Sequence, residues 1–330
     1  MQIYQIARKY GLSRKTIHFY IQNDLLHPTK RENNYYEFDD ESEKELKLIL
    51  RLRQSGMSIE NIQNMIHFPT CTNFFLFKQY FSVKKTQCKA AIEQTNIQML
   101  LEEIPPNGTY ADIMDISDAY IKKDSSSFTE SDAKMTARMT AIFLLTPFMH
   151  QEVDEYRKFL WQRIERITLT ELKPILYDIM LQLTSLSAQD MYRLSTSLAS
   201  SFDMVASGDK EKIKKYMKEQ IQLLCDDLTV QHIWNTSYVK FITPVKQVYK
   251  ECHKTLIRQY TTSYMYCMDM LKQAIDEIKN EMKEQTYLRI LQATNHQFNI
   301  LEEYYNDFFI LFCFKNSVFL SPSVYQEKQH

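Results

Sequence analysis

The chain has 330 residues, 44% hydrophobic and 25% charged, with a formal net charge of −1, which is enough apolar content for a sizeable core divided over two or three domains. Only 4 glycines occur, too few for the phosphate-binding turns of a doubly wound α/β domain. The abundance of Met, Tyr, Phe, Gln, Lys and Glu predicts a mainly α fold instead.

In chain order, IYQIARKY (3–10) places Ile3, Ile6, Ala7 and Tyr10 on one helical face. Gly11 supplies a tight turn. Ser13 is a good N-cap for a second helix over 13–26, where Thr16, Ile17, Tyr20 and Ile21 recur at helical spacing. Two short helices around a glycine turn predict a helix-turn-helix. In LLHPTKRENNYYEFDDES, Asn33–Asn34 tolerates positive φ and its flanks favour extended chain, which predicts a small β-hairpin carrying Lys30 and Arg31, a wing. DDESEKELKLILRLRQSG follows as a helix with acids in its first turn, Arg51 and Arg53 in its last, and Gly56 at its end; Ser58 starts another. Arg8, Lys9, Arg14, Lys15, Lys30 and Arg31 face one acid, Asp24, between positions 8 and 31. Such a local excess supplies salt-dependent attraction to a phosphate backbone.

The stretches IYQIARKYGLSRKTIHFYIQNDLL and NNYYEFDDESEKELKLILRLRQSGMSIENIQNMI, with the loop between them, resemble the winged-helix DNA-binding domain of the MerR family of transcription regulators over residues 3–66. The resemblance implies a homodimer that grips a pseudo-palindromic promoter in double-stranded DNA and distorts it so that RNA polymerase can engage. By position, it implies that Arg14, Lys15 and Thr16 begin the recognition helix and face the major groove. His18, Phe19 and Tyr20 stand where the family usually reads Arg-Tyr-Tyr, and Asn34, Tyr35 and Tyr36 where its wing favours Gly-Tyr-Arg. A phosphate-clamping arginine is therefore missing from the helix and a cation from the wing. Arg53 retains a cation that the family uses against the DNA backbone.

Residues 1–68 are thus expected to form the head. After Pro69, apolar residues at Phe77, Phe81, Cys88, Ala91, Ile92, Thr95, Met99 and Ile104 predict one long amphipathic helix over 70–104. In the MerR family a helix here pairs antiparallel with its twin as a coiled coil. Pro105–Pro106 and Asn107–Gly108 end it, and 105–128 read as a linker closing on Thr129. Residues 129–330 predict an all-helical domain. Helix starts are expected at Thr146–Pro147, at Thr170 with Pro174, and at Thr243–Pro244, with breaks at Ser187 and Ser207–Gly208–Asp209. No breaker occurs between Pro244 and about Lys283, which predicts one helix of roughly forty residues, about 60 Å long.

The chemistry-bearing motifs point away from catalysis: the chain has no GxSxG, no HExxH and no glycine-rich phosphate loop. The 6 cysteines include no CxxC or CxC pair, so zinc-ribbon and iron–sulfur spacing is missing. Free thiols in a reducing cytoplasm are the expectation, with metal sensing by Cys71 and Cys88 the weaker alternative. No cofactor is expected. MQIYQIARKYGLSRK lacks the apolar run of a signal peptide, and FFILFCF (308–314) is far short of a membrane span, so a cytoplasmic protein without membrane contact is expected. Near the C-terminus, Tyr260 and Tyr264 stand one turn apart, as do Tyr304 and Phe308, and Tyr305 repeats the spacing with Phe309. With Glu303 and Asp307 beside them, they form a candidate box for a small lipophilic or cationic effector. The competing expectation is a Met- and aromatic-rich core, or a protein-interaction bundle without a ligand.

Overall fold

The computed structural model describes residues 1–31, 35–103, 128–145, 148, 154–299 and 307–313, with side chains described outside 88–103. The chain divides into two compact units, Met1–Ser127 and Phe128–His330. The fold is mainly α, with one small antiparallel hairpin in the first unit and helices throughout the described part of the second.

The first unit begins with α1 (Ile3–Lys9) and α2 (Arg14–Gln22), joined by a turn in which Gly11 takes φ 64°. Ser13 caps α2 by accepting from the Thr16 N–H at 3.0 Å. Strands β1 (Thr29–Lys30) and β2 (Tyr36–Glu37) pair antiparallel, with Thr29 opposite Glu37 and Lys30 opposite Tyr36. The expected Asn33–Asn34 turn lies outside the described residues. Helix α3 (Asp40–Gln54) is capped by Asp39 and stopped at Gly56, whose φ of 80° suits glycine alone. Ser58 then caps α4 (Ile59–His67), accepting from the Asn61 N–H at 3.1 Å. The inward residues of these elements, Ile6, Ile17, Tyr20, Leu25, Leu26, Phe38, Leu46, Ile49, Met57 and Ile62, make one closed core. Each large side chain so buried contributes about 1.5–3 kcal/mol.

The long helix α5 runs Thr72–Glu103. Phe77, read from the sequence as part of an intermolecular seam, is corrected by the structure. It is 1% exposed within a single chain, its neighbours Phe74 and Phe75 are also buried, and its ring packs on Phe81 with centroids 4.8 Å apart. The remaining seam positions from Cys88 to Met99 have side chains outside the described set, and Ile104 lies outside the described residues.

The second unit opens with α6 (Glu130–Leu145), begun by a reciprocal cap. The Asp132 carboxylate accepts from the Thr129 N–H at 2.6 Å, and the Thr129 hydroxyl oxygen accepts from the Asp132 N–H at 3.4 Å. Helices α7 (Glu155–Glu171), α8 (Leu176–Ser185), α9 (Ala188–Ala206) and α10 (Lys210–Asp226) follow. Ser187 caps α9, and Gly208, at φ 73°, turns the chain into Asp209, which caps α10. The start expected at Thr170 does not occur. Thr170 sits in the last turn of α7, where its hydroxyl donates to the Arg166 carbonyl at 2.9 Å, and Pro174 occupies a 3-10 turn before α8. Thr146–Pro147 lies outside the described residues.

The expected forty-residue helix from Pro244 is also corrected. Helical turns run on from α11 (Leu228–Ser237) through a π-helical turn at Tyr238–Ile242, α12 (Thr243–Val248) and a second π-helical turn at Tyr249–His253 into α13 (Lys254–Tyr260). An α-helical segment does begin at Thr243 with Pro244 in its first turn, but inside a continuous helical run and not after a break. The proline ring would collide with the carbonyl four residues back in a regular helix, and the wider π turn just before it opens that space, with the Thr243 hydroxyl donating to the Tyr238 carbonyl at 3.0 Å. The run then stops at Thr261, whose φ −146° and ψ 136° are extended. A β-branched Thr261–Thr262 pair with a Thr261–Ser263 hydroxyl contact of 2.8 Å offers the backbone a local alternative to helix. Helices α14 (Ser263–Glu281), α15 (Glu284–Ala293) and α16 (Asp307–Cys313) complete the unit, with α14 packed on α9, α10 and α13.

Candidate nucleic-acid interface and C-terminal pocket

Helix α2 has two dissimilar sides because apolar residues recur at helical spacing. Ile17 is fully buried and Tyr20 is 6% exposed, whereas Arg14, Lys15 and His18 are exposed and Phe19 is 44% exposed. Tyr20, expected at the DNA, is therefore a core residue: it lies three positions after Ile17, on the same inward face. Thr16 is half-buried, and its hydroxyl meets the Ser13 hydroxyl at 2.8 Å within the N-cap. His18 packs edge-on against Tyr36 with centroids 5.9 Å apart, which ties the outward face of α2 to the wing strand. Tyr35 and Lys30 are exposed on the hairpin, and Asn34 lies outside the described residues.

Folding redistributes the cationic cluster. The Lys9 ammonium lies 2.7 Å from the Glu43 carboxylate, which also accepts from the Tyr10 hydroxyl and sits 3.0 Å from Lys47. Hydrogen bonds from Lys9, then Tyr10 and Lys47, push the Glu43 carboxyl down to about 2. Arg31 is likewise paired, its Nε donating to Glu37 at 2.6 Å. Arg53 remains exposed, with one guanidinium nitrogen donating to the Met57 carbonyl at 2.6 Å. Among the described residues Arg8, Arg14, Lys15 and Lys30 have no carboxylate partner. These four are what remains of the 8–31 cluster for phosphates. Neither Glu43 nor Glu37 was visible as a neutralising partner from local sequence. Glu43 is 34 positions from Lys9 and on a different helix.

A helix-turn-helix followed by a two-stranded wing, with an outward basic and aromatic helix face, defines a winged-helix DNA-binding domain. Residues 1–68 match the family model of the MerR HTH family regulatory proteins, a match that supports a MerR-type N-terminal head. It supports a DNA-binding role in transcription regulation. No curated protein and no solved structure matches the chain.

In the second unit, the expected aromatic box divides. Tyr260 is 5% exposed and packs near Trp161, and Phe308 is fully buried edge-on to Phe298 with centroids 5.0 Å apart. Both are core residues. Glu303, Tyr304 and Tyr305 lie outside the described residues. Asp307 is no rim carboxylate, as the sequence suggested, because it is fully buried. It lies 3.0 Å from the Lys246 ammonium and accepts from the Tyr238 hydroxyl at 2.9 Å and from the Asn299 N–H. Burial pushes its carboxyl up, and these donors oppose the rise. Such a carboxylate is already neutralised and cannot balance a cationic ligand.

Of the proposed ligand residues, Tyr264 lines a pocket of about 140 Å³, together with Phe309 and residues of α13 and α14. Tyr264 is 2% exposed and its hydroxyl has no hydrogen-bond partner among the described residues. Burial pushes that phenol up. His253 is also buried, with its ring nitrogen 3.1 Å from the Thr168 hydroxyl, and burial pushes it down to about 4, so it is a neutral core histidine. Among the described residues no three His, Cys, Asp or Glu side chains are grouped for a metal ion, and Cys71 is buried. The side chain of Cys88 is outside the described set. No described helix is long and apolar enough to cross a membrane.

Proposed function

We propose that the protein acts as a homodimeric transcription regulator, gripping a pseudo-palindromic promoter with two winged heads and distorting it in response to an effector taken up by the C-terminal helical unit. The observation that carries this reading is the two-sided α2 inside a MerR-type head: Arg14, Lys15, His18 and Phe19 outward, Ile17 and Tyr20 inward. Arg14 and Lys15, with Arg8 and Lys30, supply phosphate contacts that orient the head but carry no sequence information. The outward face of α2 reads base edges in the major groove. Apolar positions along α5, from Phe81 to Met99, support pairing with a second copy, so the half-site spacing follows from the dimer. Bending the intervening DNA then costs an energy that depends on its sequence and that an effector and RNA polymerase can bias.

The test is a fluorescence-anisotropy titration of the DNA upstream of the protein's own gene, at several salt concentrations. Arg14→Ala/Lys15→Ala lowers affinity and flattens the plot of log K against log salt by about 2, because two phosphate contacts are lost. An unchanged affinity and slope would take α2 out of the interface. Light scattering of Ile92→Glu reads the assembly: a charge in an apolar seam yields monomers, and a retained dimer would move the interface elsewhere.

A further inference from the structure

The pocket beside Tyr264 combines an apolar floor with a cationic rim. On α14, Tyr264, Met268, Leu271 and Ile275 recur at helical spacing and line it, with Tyr264, Leu271 and Ile275 buried. Lys254 and Arg258, one turn apart on α13, and Lys272 on α14 also line it, against one acid, Asp269. Among the described residues neither Arg258 nor Lys272 has a carboxylate partner. The Arg258 Nε donates to the Met265 sulfur at 2.7 Å, which leaves its two terminal nitrogens for a planar acceptor.

We propose that this pocket binds a small organic acid with a ring-sized apolar body, its carboxylate held by Arg258 and Lys272. Three independent features select that class. The volume, about 140 Å³, holds a body the size of a benzene ring, since an apolar cavity of about 150 Å³ takes up benzene. Arg258 and Lys272, without a carboxylate partner among the described residues, attract an anion and disfavour a cationic ligand. The Tyr264 hydroxyl, buried and without a partner among the described residues, is a donor that a bound acceptor satisfies. The inference rests on the reading of this unit as an effector domain and gives the effector its chemistry.

The experiment is calorimetric titration of the full chain with benzoate, benzyl alcohol and benzylamine, which share a ring and differ in charge. Benzoate binds, the alcohol binds at least tenfold more weakly, and the amine gives no heat. Arg258→Glu/Lys272→Glu, at two exposed positions, lowers benzoate affinity at least tenfold, and Tyr264→Phe, which keeps the ring, lowers it severalfold. No benzoate binding by the wild type overturns the proposal. So does equal binding by the charge-reversed variant, or an amine that binds as well as benzoate. Benzoate binding that leaves promoter affinity unchanged upholds the pocket and rejects the sensor reading.

Discussion

Lys246→Met separates two accounts of the buried Lys246–Asp307 pair, as an element of stability or as an incidental contact. Asp307 is fully buried and Lys246 nearly so, with 3.0 Å between the charges. Removing the ammonium strands a buried carboxylate, and breaking such a pair from one side costs about 3–5 kcal/mol. The Tyr238 hydroxyl at 2.9 Å and the Asn299 N–H still reach Asp307, so the lower end, about 3 kcal/mol, is expected. In a unit of about 200 residues that is a fall in Tm of roughly 6–12 °C. Both tryptophans, Trp161 and Trp234, belong to the second unit, so their fluorescence during thermal unfolding reports this unit alone. Lys246→Met/Asp307→Asn removes both charges and recovers at least half the loss, because a neutral amide is far cheaper to bury than an unpaired carboxylate. The sign of the pH response is also set. Without Lys246 the Asp307 pKa rises further above its unfolded value, so the folded variant binds more protons than the unfolded chain, and its deficit shrinks as pH falls. A single variant melting within 2 °C of the wild type, or a double variant no better than the single, would refute the reasoning.

Three other outcomes follow from particular side chains. Tyr20→Ala empties a core position of the head and costs about 3 kcal/mol, whereas Tyr20→Phe leaves promoter affinity unchanged; urea unfolding and anisotropy check the two arms, and a large affinity loss in Tyr20→Phe would return Tyr20 to the DNA. His253, pushed down to about 4 from an ordinary 6.5, is charged in the unfolded chain before it is charged in the folded one. Its contribution is complete above pH 6.5 and is lost as pH falls toward 4, about 3 kcal/mol over that window, and His253→Gln flattens this part of the stability profile measured by urea unfolding. Gly208→Ala forces a side chain onto a backbone at φ 73° and brings its Cβ within 2.8 Å of the Tyr266 hydroxyl, a loss of about 1–2 kcal/mol by thermal unfolding, with Gly208→Asn milder.

Local signals in the chain suffice for the head. Ser13, Asp39 and Ser58 cap helices because each carries a side-chain oxygen within reach of an N–H three positions on. Gly11 and Gly56 turn the chain because only glycine takes their φ without strain. The alternation of apolar and polar positions around these stops is what makes residues 1–68 readable as a MerR-type head. The second unit was less legible for a physical reason. A proline within a helix reads as a start unless a neighbouring π turn makes room for it, and that turn has no sequence mark at Tyr238–Ile242. The stop at Thr261 was equally unmarked, since threonine is a weak breaker whose effect depends on its surroundings.

Charge pairing lay beyond the sequence for a different reason. Lys9 and Arg31 read as free cations until the fold brings Glu43 and Glu37 to them, and Asp307 reads as a rim acid until Lys246, 61 positions away, is packed against it. The aromatic spacing around Tyr264 likewise leaves a lipophilic or a cationic ligand open, and the helices α13 and α14 bring Lys254, Arg258 and Lys272 to that pocket. Helical periodicity is a property of a few neighbouring residues, so one strand of sequence carries it. The sign of the field at a site is a sum over groups from several elements, and only their packing decides which of them are near.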